Sequence, residues 1–313
     1  MAYLGFDTSN YTTSVAVYLP EENRIIHRKK LLPVKSGEKG LRQSDAVFHH
    51  TKALSFLFSD LRKEYSAEFD AVCASVSPRL CEGSYMPCFL VGENTASCVA
   101  DAMNIPFYRT SHQHGHILAA LFSAGKTELI SERFIAFHLS GGTTDAVIVE
   151  PDNEDIIKCT LVASSLDLKA GQAVDRVGLM LGLDFPCGAE LDKLAVKSDK
   201  TYKIRPTVID GNCSLSGVEN KCRKMLENGE CAEDIANFCI SYISASLEKM
   251  TDILIEKYGN LPLLYAGGVM SNSIIRDKFQ KKYNAYFAEP EYSSDNAAGV
   301  AIMAYLKDKK LRG

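Results

Sequence analysis

Residues 4–17 and 135–148 carry one pattern twice. Leu4-Gly-Phe-Asp-Thr-Ser-Asn-Tyr-Thr-Thr-Ser-Val-Ala-Val17 aligns without a gap on Ile135-Ala-Phe-His-Leu-Ser-Gly-Gly-Thr-Thr-Asp-Ala-Val-Ile148, with Phe, Ser, Thr and Thr coincident at 6/137, 9/140, 12/143 and 13/144. Each copy reads as strand, tight polar turn, strand. Such turns expose backbone N–H groups and hydroxyls, which together suit a phosphate. Two copies in register predict a duplicated α/β chain, with residues 1–130 as one half, 131–313 as the other, and a nucleotide held between them.

The remainder alternates accordingly. Helices are predicted over Ser44–Tyr65 (Ser44 as N-cap), from Pro87 through Met103, and over Gln172–Leu181, Ala232–Tyr258, Ser271–Lys282 and Asp295–Lys307. Short strands are predicted over Phe69–Ser75, Pro106–Tyr108 and Leu263–Ala266. The stretch from about Ser198 to Cys231 is the most irregular and reads as an insertion. With 313 residues, 46% hydrophobic and 24% charged, the chain is long enough to bury a sizeable core and is not disordered. A net charge of −4 excludes a surface that is basic throughout, though not a local basic groove. There is no apolar run near the ~18 residues of a membrane span and no signal-peptide pattern, so a cytoplasmic protein with no membrane contact is expected. The ten cysteines form no CxxC pair, which argues for reduced, mostly packed thiols.

Three of the seven histidines crowd into Ser111-His112-Gln113-His114-Gly115-His116. Positions 112 and 116 are four apart, so on a helix they share a face and could hold one metal, while His114 points elsewhere. A polar helix start with clustered histidines explains the same residues. A zinc protease is disfavoured, because Gln113 and Gly115 stand where the HExxH and HxxEH motifs need Glu. Three turns offer anion contacts: Ser140-Gly141-Gly142-Thr143-Thr144, Ala266-Gly267-Gly268, and Pro186-Cys187-Gly188, the last expected to end the helix that carries Asp175. Each is also an ordinary place for glycine. Neither a Walker A loop nor GxGxxG is present. Asp295 reads as an N-cap, or as the oxygen that completes a two-His, one-carboxylate set.

In combination these blocks resemble the tRNA threonylcarbamoyladenosine transferases, the TsaD and Kae-type proteins formerly called glycoproteases. Gly5-Phe6-Asp7-Thr8-Ser9 is similar to their Gly-Ile-Glu-Thr-Ser, His112 to His116 to their His-x-x-x-His, and Leu139-Ser140-Gly141-Gly142-Thr143 to their Val-Ser-Gly-Gly-His. Gly171-Gln172-Ala173-Val174-Asp175 resembles Gly-Glu-Ala-Phe-Asp, and Gly182 to Gly188 resembles Leu-Gly-Leu-x-Tyr-Pro-Gly-Gly. Ala266-Gly267-Gly268-Val269 with Asn272, and Ser294-Asp295-Asn296, resemble the last two blocks.

The resemblance covers nearly the whole chain and implies the ASKHA fold, an actin-like pair of RNase H-like halves. It implies transfer of threonylcarbamoyl from threonylcarbamoyl-AMP to the exocyclic amine of adenosine 37 in ANN-decoding tRNAs. Carried over, His112, His116 and Asp295 are ligands of one divalent metal ion, iron or zinc. His138, Leu139, Ser140, Gly141, Gly142, Asp175, Gly188, Asp192 and Asn272 hold the adenine nucleotide or threonylcarbamoyl-AMP. The implied partners are tRNA, a small actin-like subunit and an accessory ATPase.

This chain also departs from the pattern. Asn10-Tyr11-Thr12 replaces Cys-Asp-Glu, so two acids are lost, and Gln172 replaces Glu. In Ser216-Gly217-Val218-Glu219-Asn220, an acid stands where the pattern has Lys, which weakens a tRNA phosphate contact there. The chain reads as a divergent bacterial paralogue. The alternative to the transferase is a metal- and nucleotide-binding protein of the same fold that acts as a regulator or on another acceptor.

Overall fold

Every residue of the first strand, β1 (Tyr3–Ser9), is buried, as expected for the middle strand of a sheet covered on both faces. The computed structural model describes residues 1–9, 11–33, 41–293 and 297–312. After β1 come β2 (Thr12–Leu19), β3 (Arg24–Leu31), α1 (Gln43–Glu64), β4 (Ala71–Ser77), α2 (Phe89–Met103), β5 (Phe107–Ser111) and α3 (His112–Ser123). The sheet runs β3-β2-β1-β4-β5, with β1, β2 and β3 antiparallel and β4 and β5 continuing parallel to β1. Alternation along β1 sends Leu4 and Phe6 into a core with Val15, Val17, Leu54, Leu57, Leu61 and Ala96. Tyr3, Gly5 and Asp7 therefore share the opposite face. Ser44 does not cap α1; the helix starts at Gln43 with Arg42 extended in the cap position and no capping side chain.

The second sheet repeats the first. It is built from β6 (Phe134–Leu139), β7 (Thr144–Asp152) and β8 (Ile156–Ser164). After α4 (Ala170–Met180), α5 (Gly188–Ala195), β9 (Thr207–Ile209), β10 (Asn212–Ser214), α6 (Ser216–Glu227) and α7 (Ala232–Tyr258) come β11 (Leu263–Ala266), α8 (Ser273–Lys282) and β12 (Ala285–Phe287). Its order, β12-β11-β6-β7-β8, is the first sheet's order with each strand replaced by its counterpart. The register repeats too: Leu4 faces Val17 as Ile135 faces Ile148, and Thr8 faces Thr13 as Leu139 faces Thr144. This is the duplicated, actin-like ASKHA architecture. Ile135, Phe137 and Leu139 pack with α4, α6 and α7, and Tyr265 stacks on Phe137 at 4.7 Å between ring centroids. The irregular stretch after Ser198 folds as the β9–β10 ribbon followed by α6.

The chain then forms α9 (Pro290–Ser293) and α10 (Ala298–Arg312). Contacts divide it into two units, one of Met1–Thr127, Pro151–Lys158 and Glu291–Gly313, the other of Glu128–Glu150 and Cys159–Pro290. A single division near 130 differs from this, because α10 covers the Tyr3–Gly5 face of β1. Asp308 of α10, nearly fully buried, accepts hydrogen bonds from Tyr3 (3.0 Å) and Tyr108 (3.3 Å), and Lys307 pairs with Asp155 at 2.9 Å. No described helix is long and apolar enough to cross a membrane.

Candidate functional site

In the first unit, Ser111 ends β5 in an extended conformation and caps α3, its hydroxyl accepting the His114 N–H at 3.2 Å. The cap fixes where the helix starts and so which histidines share a face. His112 and His116 do, with Nε2 atoms 2.9 Å apart and ring centroids 4.2 Å apart. His114 points into the protein and is 3% exposed; burial pushes its pKa down to about 4.

Behind His112 stands a residue with no role in the sequence reading. Asp7, fully buried, lies 3.1 Å from His112 Nδ1. Its carboxylate also accepts hydrogen bonds from the hydroxyls of Ser75 and Ser9, the latter at 2.9 Å. The parallel β1–β4 pairing brings Ser75 to it. The period-2 alternation of β1 could have placed Asp7 on this face.

The donor set suits a metal. Two imidazole nitrogens 2.9 Å apart on one helix face are close enough to serve one cation together. No group of three or more His, Cys, Asp or Glu side chains placed to hold a metal occurs among the described residues. Asp295, the third ligand implied by the resemblance, lies outside the described residues, as do its neighbours Ser294 and Asn296.

In the second unit, residues 138–142 and Asn272 lie at or just after the carboxyl ends of the parallel strands β6 and β11, where α/β sheets place ligands, while Asp175, Gly188 and Asp192 lie on α4 and α5. The β6–β7 turn is closed by Ser140 N–H donating to Thr143 O at 2.8 Å. The Ser140 hydroxyl takes the amides of Gly142 (3.3 Å) and Thr143 (3.1 Å), so two of the turn's N–H groups are already used. Space is open where side chains on Gly141 and Gly142 would project. Against this turn packs the start of α4: a Cβ on Gly171 would stand 2.5 Å from Gly141 N. Gly267, at φ +95°, passes Leu139 so closely that any side chain would overlap its backbone. His138 lies on β6 opposite Asp145 and Ala266.

Asp175, one turn along α4, accepts the Cys187 N–H at 3.0 Å, and burial pushes its carboxyl pKa up. Pro186-Cys187-Gly188 does not end α4, which stops at Met180; Gly188 opens α5 instead. Asp192 on α5 accepts from Asn272 Nδ2 (2.8 Å), Ser273 N–H (3.2 Å) and Ser273 Oγ (3.0 Å). Asn272 is also the N-cap of α8, accepting from Ile275 N–H, so α8 begins at Ser273 rather than Ser271. Turn, α4, α5 and α8 are thus joined one to the next through the very residues expected to bind the adenylate. Glu219 is paired with Arg176 at 2.9 Å and Arg223 at 3.0 Å, which holds its carboxyl below the usual range.

Comparison with known proteins places the chain in a fold and a family. Solved structures share the fold at low identity. The component A of (R)-2-hydroxyglutaryl-CoA dehydratase from Acidaminococcus fermentans matches over 99% of both chains with a TM-score of 0.57 and 15% identity. A ROK family glucokinase from Streptomyces griseus, solved with glucose and AMPPNP, matches over 98% of this chain and 99% of that one with a TM-score of 0.52 and 12% identity. The tRNA N6-adenosine threonylcarbamoyltransferase of Caldicellulosiruptor bescii is 30% identical, covering 99% of this chain and 94% of its own length. That of Thermotoga neapolitana is 29% identical, covering 99% and 95%. The model of that transferase family, TsaD, matches residues 27–302. The chain belongs to the TsaD family of tRNA N6-adenosine threonylcarbamoyltransferases.

Proposed function

We propose that this chain transfers threonylcarbamoyl from threonylcarbamoyl-AMP to the N6 amine of adenosine 37 in ANN-decoding tRNAs. The amine attacks the carbamoyl carbon, the bond to the AMP phosphate breaks, and the amine proton is lost as AMP leaves. The observation that carries the proposal is the convergence of His112 and His116 Nε2 on one point. His112, His116 and Asp295 would hold an iron or zinc ion, which supplies Lewis-acid stabilisation of a developing oxyanion. His138, Leu139, Ser140, Gly141 and Gly142 would line the adenylate phosphate, with room above both glycines for close approach. Gly188 adds a further open backbone position, and Asp192 holds the Asn272 amide fixed for a polar contact. Asp175, with its raised pKa and its hold on Cys187 N–H, keeps α5 in place against α4.

The working system would include tRNA, a small actin-like subunit and an accessory ATPase. One observation favours the second reading, a binding protein without tRNA transfer: the Glu219 carboxylate stands between Arg176 and Arg223 and neutralises cations that a tRNA phosphate needs. Incubation with threonylcarbamoyl-AMP, an unmodified ANN-decoding tRNA and the actin-like subunit, followed by nucleoside mass spectrometry, tests the proposal. Modified adenosine is expected from the wild type and none from His116→Ala. No product from a wild type that still binds metal and nucleotide would leave only the second reading.

A further inference from the structure

We infer that Asp7 is the positioning residue of the histidine pair: its carboxylate accepts a hydrogen bond from the Nδ1–H of His112 and thereby turns the Nε2 lone pair toward His116 and the metal. The inference rests on the reading of His112 and His116 as metal ligands. Nδ1 and Nε2 are distinct, and in a neutral imidazole one carries the proton and the other a lone pair. The ring's partners decide which. Both Asp7 oxygens already accept from the Ser9 and Ser75 hydroxyls, so an acceptor 3.1 Å from Nδ1 selects the Nδ1–H form.

Asp7 is well placed to impose that choice. It is fully buried on the central strand, and hydroxyls from Ser9 and Ser75 hold its two oxygens. The next residue, Thr8, is itself pinned: its hydroxyl donates to Cys88 O at 2.9 Å and accepts from Gly92 N–H at 3.0 Å. The carboxylate therefore has one orientation, and the ring of His112, tilted against Phe89, has one orientation relative to it. The 2.9 Å separation of the two Nε2 atoms then has a simple account. One proton lies between them, on His116, donated to the His112 lone pair. For His116 to offer its own Nε2 lone pair to a cation, its proton would move to Nδ1.

Two measurements test the inference. Long-range nitrogen–proton NMR on the metal-free wild-type chain, labelled at histidine, should show the His112 lone pair on Nε2. A lone pair on Nδ1, or on neither nitrogen, overturns it whether or not Asp7 variants fold. Zinc and ferrous iron affinity should then be read by competition with a chelating dye. Asp7→Asn, whose amide can donate to Nδ1 and reverse the ring, should weaken affinity by ~10–100-fold. Asp7→Glu, which restores the acceptor, should recover most of it. An Asp7→Asn chain that melts cooperatively and binds metal within twofold of the wild type also overturns the inference. A wild type that binds neither metal, yet shows the Nε2 lone pair, would reject the metal reading while leaving the role of Asp7 toward His112 standing.

Discussion

Asp192 and Asn272 are joined by a 2.8 Å hydrogen bond between helices α5 and α8, and the same Asn272 side chain caps α8. The amide is therefore committed at both ends, its nitrogen to Asp192 and its oxygen to Ile275 N–H. Asn272→Ala should cost about 0.5–2 kcal/mol, the usual effect of removing a cap. Asp192→Ala should cost less, since α8 keeps its cap. Both should lower AMP affinity, Asp192→Ala by several-fold. Urea melts beside calorimetry with AMP separate the two effects; unaltered AMP affinity in both variants would remove these residues from the site.

The glycines divide into two kinds. Nothing stands near a side chain on Gly141, so Gly141→Val should fold with an unchanged Tm and lose at least tenfold in AMP affinity. Gly171→Ala drives a methyl into the backbone of Ser140 and Gly141 and should destabilise the second unit by about 1–3 kcal/mol, typical of overpacking. A Gly141→Val chain that binds AMP normally would show that the turn does not meet the nucleotide.

Metal content should follow His112. Purified wild type is expected to carry close to one iron or zinc per chain by elemental analysis, and His112→Ala a small fraction of that. Equal content in both would reject the histidine pair as the ligand set.

His50 sets an acid limit on stability. It is fully buried, Nδ1 is 2.8 Å from Thr13 Oγ1, Nε2 has no hydrogen-bond partner, and burial lowers its pKa to about 4. The unfolded chain takes up this proton near pH 6.5, the folded chain only near pH 4, so the unfolded state binds more protons in that window. The contribution of His50 is complete above the upper value, falls as pH drops through the window, and levels off below it. The loss amounts to as much as ~3 kcal/mol. His50→Gln keeps a partner for Thr13 and does not titrate. Denaturation curves at pH 7.5 and pH 5 should differ less for this variant than for the wild type, and an equal difference would refute the assignment.

The Glu219 pairs are partly exposed, so each is worth well under ~1 kcal/mol. Glu219→Lys should lower the Tm only slightly and strengthen tRNA binding. The slope of log K against log salt should steepen by ~0.7–0.9 for each phosphate newly contacted. Filter binding over a salt series gives both quantities. A tRNA affinity that does not change would place the RNA away from α6.

The duplication was legible because a hairpin repeats its residues: the same positions that align in sequence face each other across both hairpins. The long helix Ala232–Tyr258 and the strand Leu263–Ala266 were legible from burial period and flanking turns. The third strand of each sheet was not. β3 reads Arg-Ile-Ile-His-Arg-Lys-Lys-Leu and β8 is mostly half-exposed, so at these edges the apolar alternation that marks a strand is weak. Two helix starts also differ from the sequence reading: Ser44 is a good cap in composition but Arg42 occupies the cap position of α1, and the helix read from Ser271 starts after Asn272, its cap. Within the site, the spacing of His112 and His116 was enough to put them on one face. The contact of Asp7 with His112 joins residues far apart in sequence, and only strand pairing and the packing of α3 against β4 and β5 create it.

Helix α10 has a consequence for how the protein is made. β1 leaves the ribosome ahead of every other described strand, yet the face bearing Tyr3 and Gly5 is closed by residues 298–312, which emerge after the whole of the second unit. The second unit can complete its core while synthesis continues. The first must wait with its central strand half bare, its Tyr3 hydroxyl without Asp308. A nascent chain stalled before residue 298 should thus hold a protease-resistant second unit and a protease-sensitive first one. The histidine pair, carried on α3, which packs against α10 as well as that same sheet, would be set only once α10 is in place.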